Sequence, residues 1–276
     1  MDFDFFIALE DKNHVGLFAR LFFFFLALQL LFNFPQQLRY FKTQPQRLYR
    51  KKVKILRLFS LPELTTTYFV LFGIMLLLSL ILAAAGIYMK LFTALALLCY
   101  FPYFMSIISM PSIQRKTNLI PFVLLVLLVS PSVSESIDKP APSWELLLIK
   151  IAIVQMYLSS AVQKLIHSGW RWCKGSTLQA HLMENYLWNE KKITLILAQN
   201  KGLCTALSYF TLLFELSFII LLFLPHLTYL YLSLALLFHL GTLLTMRINY
   251  LKYLLPVYMV FLTDMAFYLK NILENL

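Results

Sequence analysis

Cysteine is scarce in this chain. The 276 residues hold three. Cys99 and Cys204 fall inside apolar runs and Cys173 in a polar connection, so neither a metal-ligand spacing nor a framework of paired bridges is present. Glycine is scarcer than in most folds, with 7 residues, and no phosphate-cradling Walker loop, paired Rossmann glycines, zinc-ligand cluster or nucleophile elbow occurs. The templates of soluble enzymes are therefore empty, and no metal is expected. Charge is thin too: 13% of residues are charged, with 13 acids against 24 lysines and arginines. The excess of +11 raises nucleic acid as a partner, but 8 of the 24 bases crowd into one stretch, residues 35 to 60, rather than across a surface. No nucleic-acid partner is expected.

Apolar sequence is what the chain has in abundance. It is 60% hydrophobic and 16% aromatic, with a mean hydropathy of +0.74, where globular chains are about 45–50% apolar. Runs of about 20 apolar residues, the length that crosses a hydrocarbon core of ~30 Å, recur along it. Bounded by charge or proline, they lie at 15 to 34, 65 to 88, 91 to 109, 118 to 133, 143 to 168, 203 to 224, 227 to 247 and 250 to 270. The expected fold is an all-α polytopic membrane bundle in one domain, residues 1–276, with eight transmembrane helices and a short interfacial helix, and the lipid bilayer as its surroundings. The fourth run is short and carries Pro121, so it reads as a tilted or re-entrant piece, and the count as eight or seven. Residues 130 to 143, "SPSVSESIDKPAPS", form a polar linker whose prolines stop one helix before the next.

Arg39, Lys42, Arg47, Arg50, Lys51, Lys52, Lys54 and Arg57, with no acid among them, assign the 35 to 60 loop to the cytoplasm. The first fourteen residues hold four acids and one lysine, the reverse of a secretory leader, and no cleavage is expected there. Alternation then puts Arg115, Lys116, Arg247 and Lys252 inside and the Glu135 and Asp138 linker outside. Residues 169 to 202, with five bases and two acids, also fall inside by charge. Within them Leu178, Leu182, Tyr186 and Leu187 read as one helical face, either of an interfacial helix or of an ordinary amphipathic connector.

Ionisable side chains inside the spans are the candidates for function, because each is costly there unless paired or hydrated. Glu215, His239 and Asp264 lie deep in the last three runs. Glu215 and His239 stand at similar depth on consecutive spans joined at Pro225 and His226, so they are expected to pair, either to fix helix register or as a proton relay. Lys164 lies four residues before Ser168 and Gly169. Either it snorkels to the headgroups, or it joins Tyr157 and Ser160 on one face, at spacing i, i+3 and i+7, and serves as a general base. Trp170 and Trp172 would anchor that helix end at the interface and could roof a pocket above the amine. No span is broken near its middle and no inverted repeat appears, which disfavours a transporter.

Residues 157 to 175, "YLSSAVQKLIHSGWRWCKG", carry Tyr157, Lys164-Leu165, Trp172 and Gly175 in an order that resembles the signature of a known group. It is that of the vitamin K-dependent gamma-carboxylase and horizontally transferred transmembrane (HTTM) domain family. "FELSFIILLFLP" with Glu215 and "LLFHLGTLLTMRINYLKYLLPVYMVFL" with His239 resemble its acidic helix and its Phe-His helix. "HVGLFARLFFFFLALQLLFNF" is similar to its opening helix with Phe-x-Arg. The resemblance implies a lyase-like carboxylase core in which Lys164 deprotonates reduced vitamin K or another quinone. His239 would support Lys164, while Tyr157, Ser160, Trp172 and Glu215 bind substrate. It also implies an extracytoplasmic side for the Lys-Leu to Gly loop, against the charge count. Two departures, no large soluble domain and "SIISMPSIQRK" where carboxylases place a histidine, point away from carboxylation itself. Short bacterial members of the wider group implicate the inner (cell) membrane. They suggest a peptide substrate or partner membrane protein, and an alternative, non-catalytic role in maturation or export of a secreted peptide.

Overall fold

The computed structural model describes residues 12–43, 65–108, 119–131, 144–246, 249–251 and 253–262. The acidic start to residue 11, residues 44–60 of the basic loop, Arg115 and Lys116, the Glu135 and Asp138 linker, Arg247, Lys252 and Asp264 lie outside them. Every regular element among the described residues is helical. The helices are α1 (Lys12–Thr43), α2 (Thr66–Ala84), α3 (Met89–Ile108), α4 (Leu119–Val129), α5 (Trp144–Ser168), α6 (Ser176–Asn189), α7 (Lys192–Gln199), α8 (Lys201–Ser217), α9 (Thr228–Met246) and α10 (Tyr253–Leu262). Three 3₁₀ segments join them: Gly169–Lys174, Phe218–Leu222 and Pro225–Leu227.

A helix stands at each of the eight places where an apolar run was expected. Five are long and apolar enough to cross a membrane: His14–Arg39, Thr66–Ala84, Trp144–Lys174, Lys201–Leu222 and Thr228–Met246. Met89–Tyr103, Leu119–Val129 and Tyr253–Leu262 are shorter apolar stretches. α4, at 11 residues, rises about 16 Å, roughly half a hydrocarbon core. Its Pro121 sits in the first turn, where a missing N–H costs no intrahelical bond. Large side chains such as Phe32, Leu98 and Leu244 are exposed on the outer faces of their helices, as they would be against lipid.

The chain divides into two compact units, the first made of residues 1–149 and 252–276, the second of 150–251. In the first, α2 packs against both α1 and α3, and α4 against α3. Thr65 caps α2 by accepting the Tyr68 N–H at 3.3 Å. α1 and α2 run antiparallel: Arg20 lies beside Gly86, Phe34 beside Gly73, and Phe41 stacks on Phe69 with ring centroids 4.4 Å apart. Phe34, Phe69 and Tyr103 continue that stack, and the Tyr103 hydroxyl donates to Gln37 Oε1. Gly73 is required by this packing, because a β-carbon there would meet the Phe34 ring at 2.3 Å.

In the second unit, α6 and α7 form a hairpin that packs on α8 and α9. The sequence reading expected one short interfacial helix over 169–202; two helices and a 3₁₀ turn stand there instead. Leu178 and Leu182 pack with Ala198, Cys204 and Met246 rather than lying out on a surface, while Leu187 is 73% exposed. Leu187 is nine residues from Leu178, about 180° round a helix at 3.6 residues per turn, so the four residues never shared a face. Asn200 caps α8, accepting the Leu203 N–H at 2.9 Å.

Candidate functional site

The candidate site is built on the second unit's part of α5. Spacing i, i+3 and i+7 turns Tyr157, Ser160 and Lys164 to one face, and α8 and α9 bring Glu215 and His239 to it. The Lys164 ammonium donates to both oxygens of Glu215 in a close ion pair and to Ser160 Oγ at 3.2 Å. Ser160 in turn donates to Glu215 Oε1 at 3.1 Å. The carboxylate is almost wholly enclosed and the lysine side chain keeps 17% of its surface exposed. The amine thus points inward to an acid, not outward along a snorkelling path.

One turn earlier on the same face, the Tyr157 hydroxyl and His239 Nε2 are 2.8 Å apart, a hydrogen bond whose direction follows the imidazole tautomer. Both residues are buried. The Tyr157 ring is fixed by stacking on Phe218, centroids 4.0 Å apart, with Phe214 edge-on at 5.6 Å. Tyr250 lies beyond the imidazole, ring centroids 5.3 Å apart.

The expected pairing of Glu215 with His239 is not what forms. Glu215 takes Lys164 and Ser160, and His239 takes Tyr157. Two features of the fold account for this. The residues from Phe218 to Leu222 wind as a 3₁₀ helix, which turns about 20° more per residue than an α-helix and so swings Glu215 round relative to the link at Pro225. Counted from Pro225, Glu215 lies 10 residues back and His239 14 residues on, an offset of about one turn that is matched by the offset between Ser160 and Tyr157 on α5. A third helix therefore receives both groups.

The 3₁₀ turn after α5 completes the cluster. Lys164 Nζ lies 5.5 Å from the Trp172 ring centroid, a cation–π distance. Trp172 packs against Ala161, Cys173 and Leu212, and its indole Nε1 is a buried donor with no acceptor among the described residues. Gly175 holds this turn against α8. Its φ is +76°, and a β-carbon would come within 2.6 Å of the Thr205 backbone nitrogen, so only glycine fits. Thr205 Oγ1 ties the turn further by donating to the Lys174 carbonyl at 3.1 Å. The Trp-x-x-Gly spacing thus has a structural cause: glycine for the close approach, tryptophan for the cap on Lys164.

Tyr157, Ser160, Lys164, Trp172, Glu215 and His239 are accordingly brought into one cluster, whereas Asp264 lies outside the described residues. Sequence reasoning passed over Glu145 and Lys150, both buried near the start of α5, with Ser130 Oγ donating to Glu145 at 2.7 Å. Two charges within the first eight residues of an apolar run were the available signal. Tyr250 was also missed, although it stands as the first residue of the last expected run.

Chemically, an ammonium and a carboxylate enclosed together can exchange a proton. With little water to solvate charge, the neutral amine–acid form lies closer in energy to the ion pair than it does in bulk solvent. Lys164 can then accept a proton while Glu215 holds the one it gave up. Among the described residues no three of His, Cys, Asp and Glu gather as a metal site would need. Compared with family models, curated proteins and solved structures, the chain matches none. The likeness to the carboxylase group rests on the motifs quoted above.

Proposed function

We propose that the chain is an integral membrane protein, a bundle of seven or eight spans in a bacterial cell membrane, that performs acid–base chemistry on a lipophilic quinol or a membrane-delivered peptide. Lys164 is the general base and His239 a supporting group, as the resemblance to the vitamin K-dependent carboxylases implies; from the contacts of the site we add Glu215 as the proton store and Tyr157 as the partner of His239, with Trp172 and Ser160 binding substrate. The observation that carries this reading is the direction of Lys164, held on Glu215 and Ser160 and capped by Trp172. The donors present fit a phenolic oxygen, since Trp172 Nε1 is buried with no acceptor among the described residues. A reduced quinone supplies an acidic hydroxyl; Lys164 Nζ takes its proton once Glu215 has taken one from the ammonium.

A second reading is favoured by the completeness of the same contacts. Lys164, Ser160 and Glu215 satisfy one another, as a register-fixing pair in a non-catalytic protein assisting peptide export would. The test is oxygen-dependent consumption of reduced vitamin K by the protein in lipid nanodiscs, for wild type, Lys164→Arg and Lys164→Met. The catalytic reading requires turnover by wild type and loss in both variants, because arginine keeps the charge but gives up no proton near neutral pH. No turnover by wild type, with Lys164→Arg preserving function in cells, selects the second reading.

A further inference from the structure

Arg20 plays no part in the site just described, although it stands in the Phe-x-Arg of the opening helix. It is exposed, and no hydrogen bond or ion pair holds its guanidinium among the described residues. By chain position it lies well inside the apolar stretch His14–Arg39, where a bare cation would be costly. Its neighbour says otherwise. One guanidinium nitrogen lies 3.0 Å from the point a Gly86 β-carbon would occupy, and Gly86 belongs to the turn that ends α2 and opens α3. Arg20 is therefore level with the end of a spanning helix and not with its middle.

The antiparallel register of α1 and α2 supports the same level, through Phe34 at Gly73 and Phe41 at Phe69. From Arg20 to Arg39, α1 rises about 28 Å, close to the ~30 Å of a hydrocarbon core. The two arginines thus bracket one membrane thickness. Arg39 begins the basic loop, so Arg20 marks the opposite headgroup plane. Tyr88, 78% exposed in the same turn, is the residue type found at that boundary, and Lys90 adds a second cation two residues further on.

We propose that Arg20, set over Gly86 in the α2–α3 turn, binds the phosphate of a membrane phospholipid in the leaflet opposite the basic loop. A planar guanidinium presents paired N–H donors to two phosphate oxygens, a match that lysine makes less well. Glycine at 86 leaves the room the guanidinium occupies, and its φ of +80° shapes the turn.

The experiment titrates the purified full chain in detergent with dioleoylphosphatidylglycerol, reading bound lipid by native mass spectrometry, against monogalactosyl dioleoylglycerol, which has no phosphate. Wild type should prefer the phospholipid, with Arg20→Gln weakening it about tenfold and Arg20→Lys less. Equal binding of both lipids, or Arg20→Gln binding as wild type does, overturns the proposal. If Arg20→Gln fails to fold, the wild-type protein in bilayers decides alone. Dephasing of the Arg20 Cζ carbon signal by lipid phosphorus is expected in solid-state NMR, and its absence overturns the assignment.

Discussion

Removing Lys164 and removing Glu215 should have unequal costs, because the two ends of the pair are unequally enclosed. Lys164→Met leaves a carboxylate that is 95% buried by side-chain surface with only Ser160 to receive it, whereas Glu215→Leu leaves an ammonium with 17% of its side chain exposed. The freed lysine has a four-carbon stem and lies one turn from the end of α5, so it can carry its charge toward the headgroups. Breaking an enclosed ion pair from one side typically costs about 3–5 kcal/mol. The stranded carboxylate should come near the lower end of that range, about 3 kcal/mol, and the stranded ammonium about 1–2 kcal/mol after relief at the interface. The double variant leaves no unpaired charge and should lose no more than Glu215→Leu alone, giving a coupling of about 3 kcal/mol or more. The assay is reversible unfolding of the four proteins in mixed micelles by added dodecyl sulfate. Additive single costs, or Glu215→Leu proving more damaging than Lys164→Met, would refute the argument that the acid depends on the lysine.

The other expectations follow from single contacts. His239→Leu strands no charge and should cost about 1–2 kcal/mol, through loss of the 2.8 Å hydrogen bond with the Tyr157 hydroxyl, as unfolding in the same micelles would measure. Tyr157→Phe keeps the stack on Phe218 and should cost about 1 kcal/mol or less. Gly175→Ala should lower the folded yield far more than Gly169→Ala: both have positive φ, but only at 175 would the new methyl meet backbone, at 2.6 Å. Folded yields read by size-exclusion chromatography should separate the two, and equal losses would mean that strain in φ, not the close approach to α8, sets the requirement. Cys173, fully enclosed with Ala161 and Leu212, should resist maleimide in the folded protein and react once Gly175→Ala loosens the turn, as mass spectrometry of the labelled chain would show.

The apolar runs were enough to place a helix at each of eight positions, because bilayer-length hydrophobicity is a local property of the chain. α1 was cut short in that reading. Pro35 and the following glutamines look like an end, yet the helix continues to Thr43 with Gln37 bonded to Tyr103. A neighbouring helix can supply partners that a proline-bearing span needs. The face bearing Tyr157, Ser160 and Lys164 was legible too, since helical spacing alone decides it. Its partners were not. Similar depth in two adjacent spans says nothing about which way each side chain points, and the 3₁₀ winding at 218–222 turns Glu215 in a manner that composition does not announce. Leu187 was placed with Leu178 by its type rather than by its angle. Glu145 and Lys150 were passed over because their enclosure comes from packing distant in sequence.

The central claim is that Glu215 receives a proton from Lys164 when the amine acts as a base. Difference infrared spectroscopy tests it directly, comparing the protein in nanodiscs before and after addition of a naphthohydroquinone under anaerobic conditions. The account predicts a new carbonyl band of a protonated carboxyl group, shifted by exchange into D₂O, lost in Glu215→Gln and not formed in Lys164→Met. A spectrum with no such band, or a band that persists in Glu215→Gln, would contradict it.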